Sequence, residues 1–501
     1  MQRLSAHFFV LTVTLSLLSP LLNAGTIQVG SGRQYQRLQQ ATAVAKPGDT
    51  ILLDAGVYSG GDYIENLHGT TDAWIFIRAE QPGTVLFRGN TQAFHISEAS
   101  YLRIEGLAFE QQTGNGVNID DGGTYNTPTH HLHIENCEWR SMNATGNNDE
   151  LKLSGIDDFT ITRCTFRNGS EGGSMIDMVG CHRGSFTNNR FENAGSNAIQ
   201  AKGATSEITI HANRFINCGQ RAVNVGGSTG LQFFRPLGAL YEAKNISVTA
   251  NIFTGSVTPI AFVGAVDCSV HNNTFYKPTR WAFRILQETT ETGFLPCGNN
   301  SVRNNIIVLG NTGTVAINVG ANTAPETFTF EYNLWFNPDN PMWTGPNTPV
   351  VEPTRILNKD PMFTDTLSFA ITQSSPAFKA GKPTSAEPVY DFNNARYNTP
   401  RSMGAVEFPV ASHVDDDMET SVLLYPNPAT GTLSMTAMQP VALLRIINLL
   451  GEEECTDQTR GVTLEAGETL RLNCSGLARG VYMLSLRNSS GGTLVRMLHR
   501  E

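Results

Sequence analysis

The 501-residue sequence is short of charge, with only 16% of its residues Asp, Glu, Lys or Arg. Beside 47 glycines and 40% apolar residues, that shortage suits a long β architecture with many turns. A helical bundle would draw more on Leu, Ala, Glu and Lys. Positive charge is the scarcer sign, 35 Lys and Arg against 45 Asp and Glu, for a net charge of −10. No broad basic face is available to neutralise phosphates, so nucleic acid is excluded as the main partner. Beyond the first two dozen residues no stretch approaches the ~18 apolar residues of a membrane span, so none is expected in the mature chain. The eight cysteines say little. Cys455 and Cys474 are placed to close one loop, and the rest are scattered where buried thiols fit equally well.

What is present begins with an export signal. Arg3, the apolar residues 8–18 and Leu22-Asn23-Ala24 follow the pattern of a signal peptide over residues 1–24. A repeat then dominates. Cys137-Glu138-Trp139, Cys164-Thr165-Phe166, Asn189-Arg190-Phe191, Asn213-Arg214-Phe215, Asn251-Ile252-Phe253, Asn273-Thr274-Phe275, Asn305-Ile306-Ile307 and Asn333-Leu334-Trp335 align at intervals of 27, 25, 24, 38, 22, 32 and 28 residues. A basic period with only longer outliers describes a stacked coil with variable loops. The aromatics predict an internal stack and the Asn column an internal ladder, structural rather than functional.

A second register supports the coil. Leu151-Lys152-Leu153-Ser154-Gly155 aligns with Ile176-Asp177-Met178-Val179-Gly180, Ile199-Gln200-Ala201-Lys202-Gly203 and Val223-Asn224-Val225-Gly226-Gly227. Apolar residues alternate with others at period two, as in strands with one face inward. The outward columns are then Lys152, Asp177, Gln200, Asn224 and Ser154, Val179, Lys202, Gly226, with rungs roughly 4.8 Å apart. Such a polar strip suits a linear polymer.

Both ends of this region resemble known families. Residues 35–45 look like a short helix plugging the coil, and with Pro47-Gly48-Asp49-Thr50-Ile51 they are similar to the opening of pectate-lyase-like β-helix proteins. The stretch from Gly69-Thr70-Thr71-Asp72-Ala73-Trp74 to Gly89 is similar to the start of polysaccharide lyase family six, the chondroitinase B and alginate lyase family. Asp360-Pro361-Met362-Phe363 and Gly404-Ala405-Val406-Glu407 resemble the closing segment of the same superfamily. The resemblance implies a right-handed parallel β-helix over residues 25–410. After a linker at 411–421, Leu424-Tyr425-Pro426-Asn427-Pro428 and the later Arg479-Gly480-Val481-Tyr482 resemble the C-terminal domain read by the type IX secretion system of Bacteroidota. A small β-sandwich over 422–501 is the expectation, with the secretion machinery as partner and the cell surface or medium as destination.

On this fold uronate polymers are cleaved by β-elimination. The site must neutralise a carboxylate, remove the C5 proton and protonate the leaving oxygen. Lys202 is the first candidate base, because the resemblance to family six implies a lysine on such a coil and an arginine about one coil later, here Arg221. The family's Arg-His-Gly is replaced by Asn224-Val225-Gly226, and Gly195-Ser196-Asn197-Ala198 stands where its acidic calcium ligands would be. Lys152 is the alternative base; Asp149 and Glu150 beside it are candidate Ca²⁺ ligands, with Asp177 a further oxygen donor. The long interval after Asn213 carries Phe233-Phe234-Arg235 and Tyr241. Arg235 is expected to grip a carboxylate, Phe233 or Phe234 to stack on a sugar, and Tyr241 to act as acid. Gln200, Asn224, Asp177 and Arg284 complete the expected polymer contacts. Residues 150–303 hold 14 Lys and Arg against 11 Asp and Glu, which favours an acidic polysaccharide.

The alternatives are a non-catalytic glycan-binding or adhesive surface protein, and a glycoside hydrolase. Asp157-Asp158 lacks the partner motifs that polygalacturonase-type hydrolysis needs. The glycine run 226–230 lacks the Gly-Lys-Ser/Thr ending of a phosphate loop. A monomer is expected.

Overall fold

The computed structural model describes residues 24–310, 315–382, 388–408, 422–425, 429–438, 440–448, 462–488 and 493–500. Residues 1–23 of the expected signal peptide, the linker, Pro426-Asn427-Pro428 and Cys455 lie outside them. The chain divides into two compact units, Met1–Phe408 and Pro409–Glu501.

The first unit is a parallel coil of three sheets with 14, 12 and 10 strands among the described residues. A coil in the middle of the stack contributes a strand to each sheet. One coil runs Thr129–Glu135, Glu138–Arg140 and Leu151–Ser154, and the next runs Ile156–Thr162, Thr165–Arg167 and Ser174–Val179. We call these the long sheet, the aromatic sheet and the cleft sheet. The helix Leu38–Thr42 buries Leu38 and Ala41 at the first coil.

No coil can satisfy its interior alone, so the interior is built from ladders. From Phe109 to Phe275 on the aromatic sheet, consecutive rings stack with centroids 4.6–5.1 Å apart. Beside them each buried Asn donates its amide to the Asn of the next coil, from Asn189 through Asn213, Asn251, Asn273 and Asn305 to Asn333, at 2.9–3.1 Å. Glu352 ends this ladder. It accepts the Asn333 amide at 2.8 Å on one oxygen and the Trp335 indole N–H at 2.9 Å on the other. The seven described cysteines are buried and free of disulfides, Cys474 among them.

On the cleft sheet the outward column runs from Tyr63, His95 and Asn118 through Lys152, Asp177, Gln200 and Asn224 to Ala261, Arg284 and Asn318. Ser154, Val179 and Lys202 form the neighbouring column. Gly226 instead pairs with Val263 of the following coil.

The second unit holds two antiparallel sheets. Val422–Tyr425, Thr432–Ala437 and Thr469–Asn473 form one; Val462–Leu464, Val441–Asn448, Gly480–Asn488 and Thr493–Arg500 form the other. Leu433, Met435, Leu443, Leu472, Leu484 and Leu498 belong to their common core.

Candidate functional site

The cleft sheet meets the long sheet at corners of one or two residues in three successive coils, each holding one glycine: Gly155, Gly180 and Gly203. Longer loops flank these corners: residues 121–128 before them and 227–242 after them. The two loops meet where the Tyr125 hydroxyl donates to the Gln232 carbonyl at 2.9 Å, and so make one continuous wall. The corners must be glycine twice over. Their φ angles are positive, and a Cβ on Gly155 would stand 2.1 Å from Asp121 Oδ2 and one on Gly180 2.6 Å from Arg235 Cβ. Tight corners leave the space that the wall fills.

Two polar anchors hold the second loop. The Arg235 guanidinium makes a two-pronged contact with Asp157 at 2.7 and 2.9 Å, and donates to the Gly180 carbonyl at 3.0 Å. Burial opposes ionisation of Asp157, yet its bonds to Arg235 and His182 hold it well below the usual carboxylate range. Glu242 is fully buried and accepts from Gly203 N–H, Thr229 N–H and the hydroxyls of Thr229 and Thr289 at 2.6–2.9 Å.

Between wall and sheet lies a cleft of about 670 Å³, lined by Asp120, Asp121, Tyr125, Lys152, Lys202, Phe233 and Arg235 among others. A second depression of about 340 Å³ adjoins it and is lined by Gln200, Arg221, Asn224, Arg284 and Glu288. Lys202 lines both. Beneath the lysines lies Asp177, only 1% exposed. It contacts the Lys152 ammonium on one oxygen and the Lys202 ammonium at 3.1 Å on the other. Asp149 stands 3.6 Å from Lys152 and is pushed up to about 6 by burial and by the Asp177 charge. Burial acts to lower the Lys152 ammonium, but Asp177 and Asp149 outweigh it and raise the group above its ordinary value.

Several expectations change. Lys202 and the wall do come together, but Arg221 sits on the far side of Lys202, bound to Glu288 at 2.8 Å and Asn224 at 3.2 Å. Arg235 lines the cleft but grips the protein's own Asp157 rather than standing free for a ligand carboxylate. Phe234 is buried against Phe294, 6.0 Å between centroids, because the loop turns at this point; Phe233, 62% exposed, is the ring that faces the cleft. Tyr241 lines neither space and lies beneath the Lys244 ammonium at 5.8 Å. Asp177 is roofed by the lysines. Gln200, Asn224 and Arg284 all face the smaller depression.

Asp149 and Glu150 do not fit Ca²⁺. Asp149 is committed to Lys152 and to the Ser174 N–H, and Glu150 is wholly buried with no hydrogen-bond partner on either oxygen. Among the described residues no three His, Cys, Asp or Glu side chains are grouped to hold a metal. Asp157 and Asp158 are likewise absorbed, by Arg235 and Arg183. The sequence reading missed Asp120, Asp121 and Tyr125. The signal existed: Val117-Asn118-Ile119-Asp120 continues the alternating register one coil earlier, and the step from Phe109 to Trp139 exceeds the basic repeat.

Residues 92–275 match the right handed beta helix region family, and residues 423–498 match the secretion system C-terminal sorting domain. The chain is a right-handed parallel β-helix protein with a type IX sorting domain, exported to the cell surface or beyond. It is similar to the pectate lyase Pel9A, at 14% identity over 77% of this chain and 98% of that one, with a TM-score of 0.48. It is also similar to an alginate lyase from Paenibacillus sp. str. FPU-7, at 16% identity over 62% and 99%, with a TM-score of 0.40. A mannuronic acid specific polysaccharide family 6 lyase from human gut microbiota aligns at 14% identity over 65% and 89%, with a TM-score of 0.35. No curated protein matches the sequence.

Proposed function

We propose that this chain is a secreted polysaccharide lyase-like enzyme that cleaves a uronate-containing glycan by β-elimination. The observation that carries the reading is the position of Lys202, shared between a walled cleft and a depression holding Arg221 and Arg284. A uronate carboxylate in that depression meets two guanidiniums, which withdraw charge from the ring and acidify C5–H. Lys202, as the free amine, takes the C5 proton. The electron pair forms the C4–C5 double bond as the C4–O bond breaks, and the leaving oxygen takes a proton from the Lys152 side of the cleft. Phe233 offers a ring face to the sugar.

The test is the ultraviolet absorbance of unsaturated uronate ends, followed on alginate, pectate, chondroitin and glucuronan. Wild type should give product on at least one polymer, and Lys202→Ala should lose it by a hundredfold or more. No product on any acidic glycan, or full activity in Lys202→Ala, would sink the reading. One observation favours glycan binding without chemistry: both cleft lysines are already paired with Asp177. Tight retention of a glycan with no unsaturated product would decide for that.

A further inference from the structure

We infer that the glycan is not uniformly anionic: it places a uronate over the Arg221–Arg284 depression and a sugar without an acidic group in the walled cleft. This rests on the lyase reading for the direction of the cut, and on charge alone for the pattern of sugars.

Charge is divided unevenly between the two spaces. In the cleft every Lys and Arg already has its counter-ion. Lys152 and Lys202 answer to Asp149 and Asp177, and Arg235 to Asp157. Two further carboxylates line the cleft. Asp120 accepts from Ser97 and Asn118 and meets His95 at 2.6 Å. Asp121 accepts the Gly123 N–H at 3.0 Å, and among the described ion pairs it has none. The rest of the lining is neutral, with Tyr125 and Phe233 as ring faces and Ser154, Ser228 and Thr229 as hydroxyls. An acidic sugar there would face two fixed carboxylates of its own sign, whereas a hydroxylated ring meets partners it can use.

The depression has the opposite balance. Its acid, Glu288, sits at the rim on Arg221. Arg284 is held by the Asn318 amide oxygen at 3.0 Å and lies 4.8 Å from the Trp281 ring, with no carboxylate among its described contacts. Two guanidiniums and the Gln200 amide form a receptor for a planar oxyanion, with the buried Asn224 holding Arg221 from behind.

Placing the two sugars fixes the products. The C5 proton and the carboxylate belong to the ring in the depression, so the C4–O bond that breaks points past Lys202 into the cleft. The sugar in the cleft leaves with the new reducing end. Every new reducing end is then a non-acidic sugar, and every unsaturated end is the former uronate.

The experiment measures affinity and products separately on the full chain. Unsulfated chondroitin and hyaluronan serve as alternating polymers, and polygalacturonate and alginate as uronate homopolymers. Affinity electrophoresis should show at least tenfold tighter retention of an alternating polymer. Asp121→Asn should raise homopolymer affinity about tenfold and so narrow the ratio. Equal or tighter homopolymer binding by wild type, a ratio unmoved in Asp121→Asn, retention of none of the four, or uronates at the new reducing ends overturns the inference. A preference for alternating polymers without any unsaturated product supports the charge pattern while removing the lyase reading. Unsaturated products from homopolymers without preference do the reverse.

Discussion

Glu150 is a carboxyl at zero exposure with neither oxygen bonded, and burial alone pushes it up to about 8. Its ordinary value is 4.5, so at pH 7 folding must carry a proton onto a group that is ionised in the unfolded chain. Each unit between pH 4.5 and 7 costs about 1.4 kcal/mol, a penalty on the order of 3 kcal/mol at neutrality. The sign follows from proton counting. Between 4.5 and 8 the folded state binds more protons than the unfolded one, so stability falls as pH rises through this window and levels off above it. Glu150→Gln keeps the shape and removes the titration. Any penalty from its unpaired amide is the same at every pH, so only the difference between the two stability curves matters. Urea unfolding of both proteins at pH 5, 7 and 9, followed by the near-ultraviolet signal of the aromatic stack, should show the variant gaining on wild type by about 4 kcal/mol across the range. Parallel curves would refute the reasoning, because an ionised, solvated Glu150 leaves no pH-dependent difference.

Other features give equally direct expectations. Asp157→Asn should free the loop 227–242, read as faster limited proteolysis there. In wild type the same clamp, whose folded value is depressed, should persist above the ordinary 3.8 and fail only as pH falls below it. Gly180→Ala should cost about 2 kcal/mol or more in urea unfolding, from positive φ together with the Arg235 clash. Gly123→Ala, with positive φ but nothing within 4 Å, should cost about 1 kcal/mol. Asn251→Ala strips the acceptor from the Asn213 N–H and side-chain amide and leaves the Ile210 carbonyl bare, so a loss of about 3–5 kcal/mol is expected. A loss under about 1 kcal/mol would mean that water fills the ladder.

The scaffold was legible in the sequence because a coil has few ways to be satisfied. Asn213 needs an amide oxygen one coil on, and Phe215 a ring, so both leave a mark at a near-constant interval that can be read without coordinates. Outward columns are legible for the same reason: pairing Lys152 with Asp177 and Val179 with Lys202 follows once the inward residues are aligned. The side chains that bound the cleft obey no such period. Phe233 and Phe234 are adjacent and chemically alike, yet one is exposed on the cleft and the other sealed away, which is decided by how the loop crosses Gly180 and Gly203. Arg235 and Asp157 stand 78 residues apart, and neither belongs to a repeat column that would announce the other. Even there a trace survives. Three successive single-glycine corners flanked by two long loops mark coils whose edge has been cleared, and cleared edges give a wall its room. In a solenoid the residues that keep the repeat describe the support, and the places where it is interrupted show where a ligand can be held.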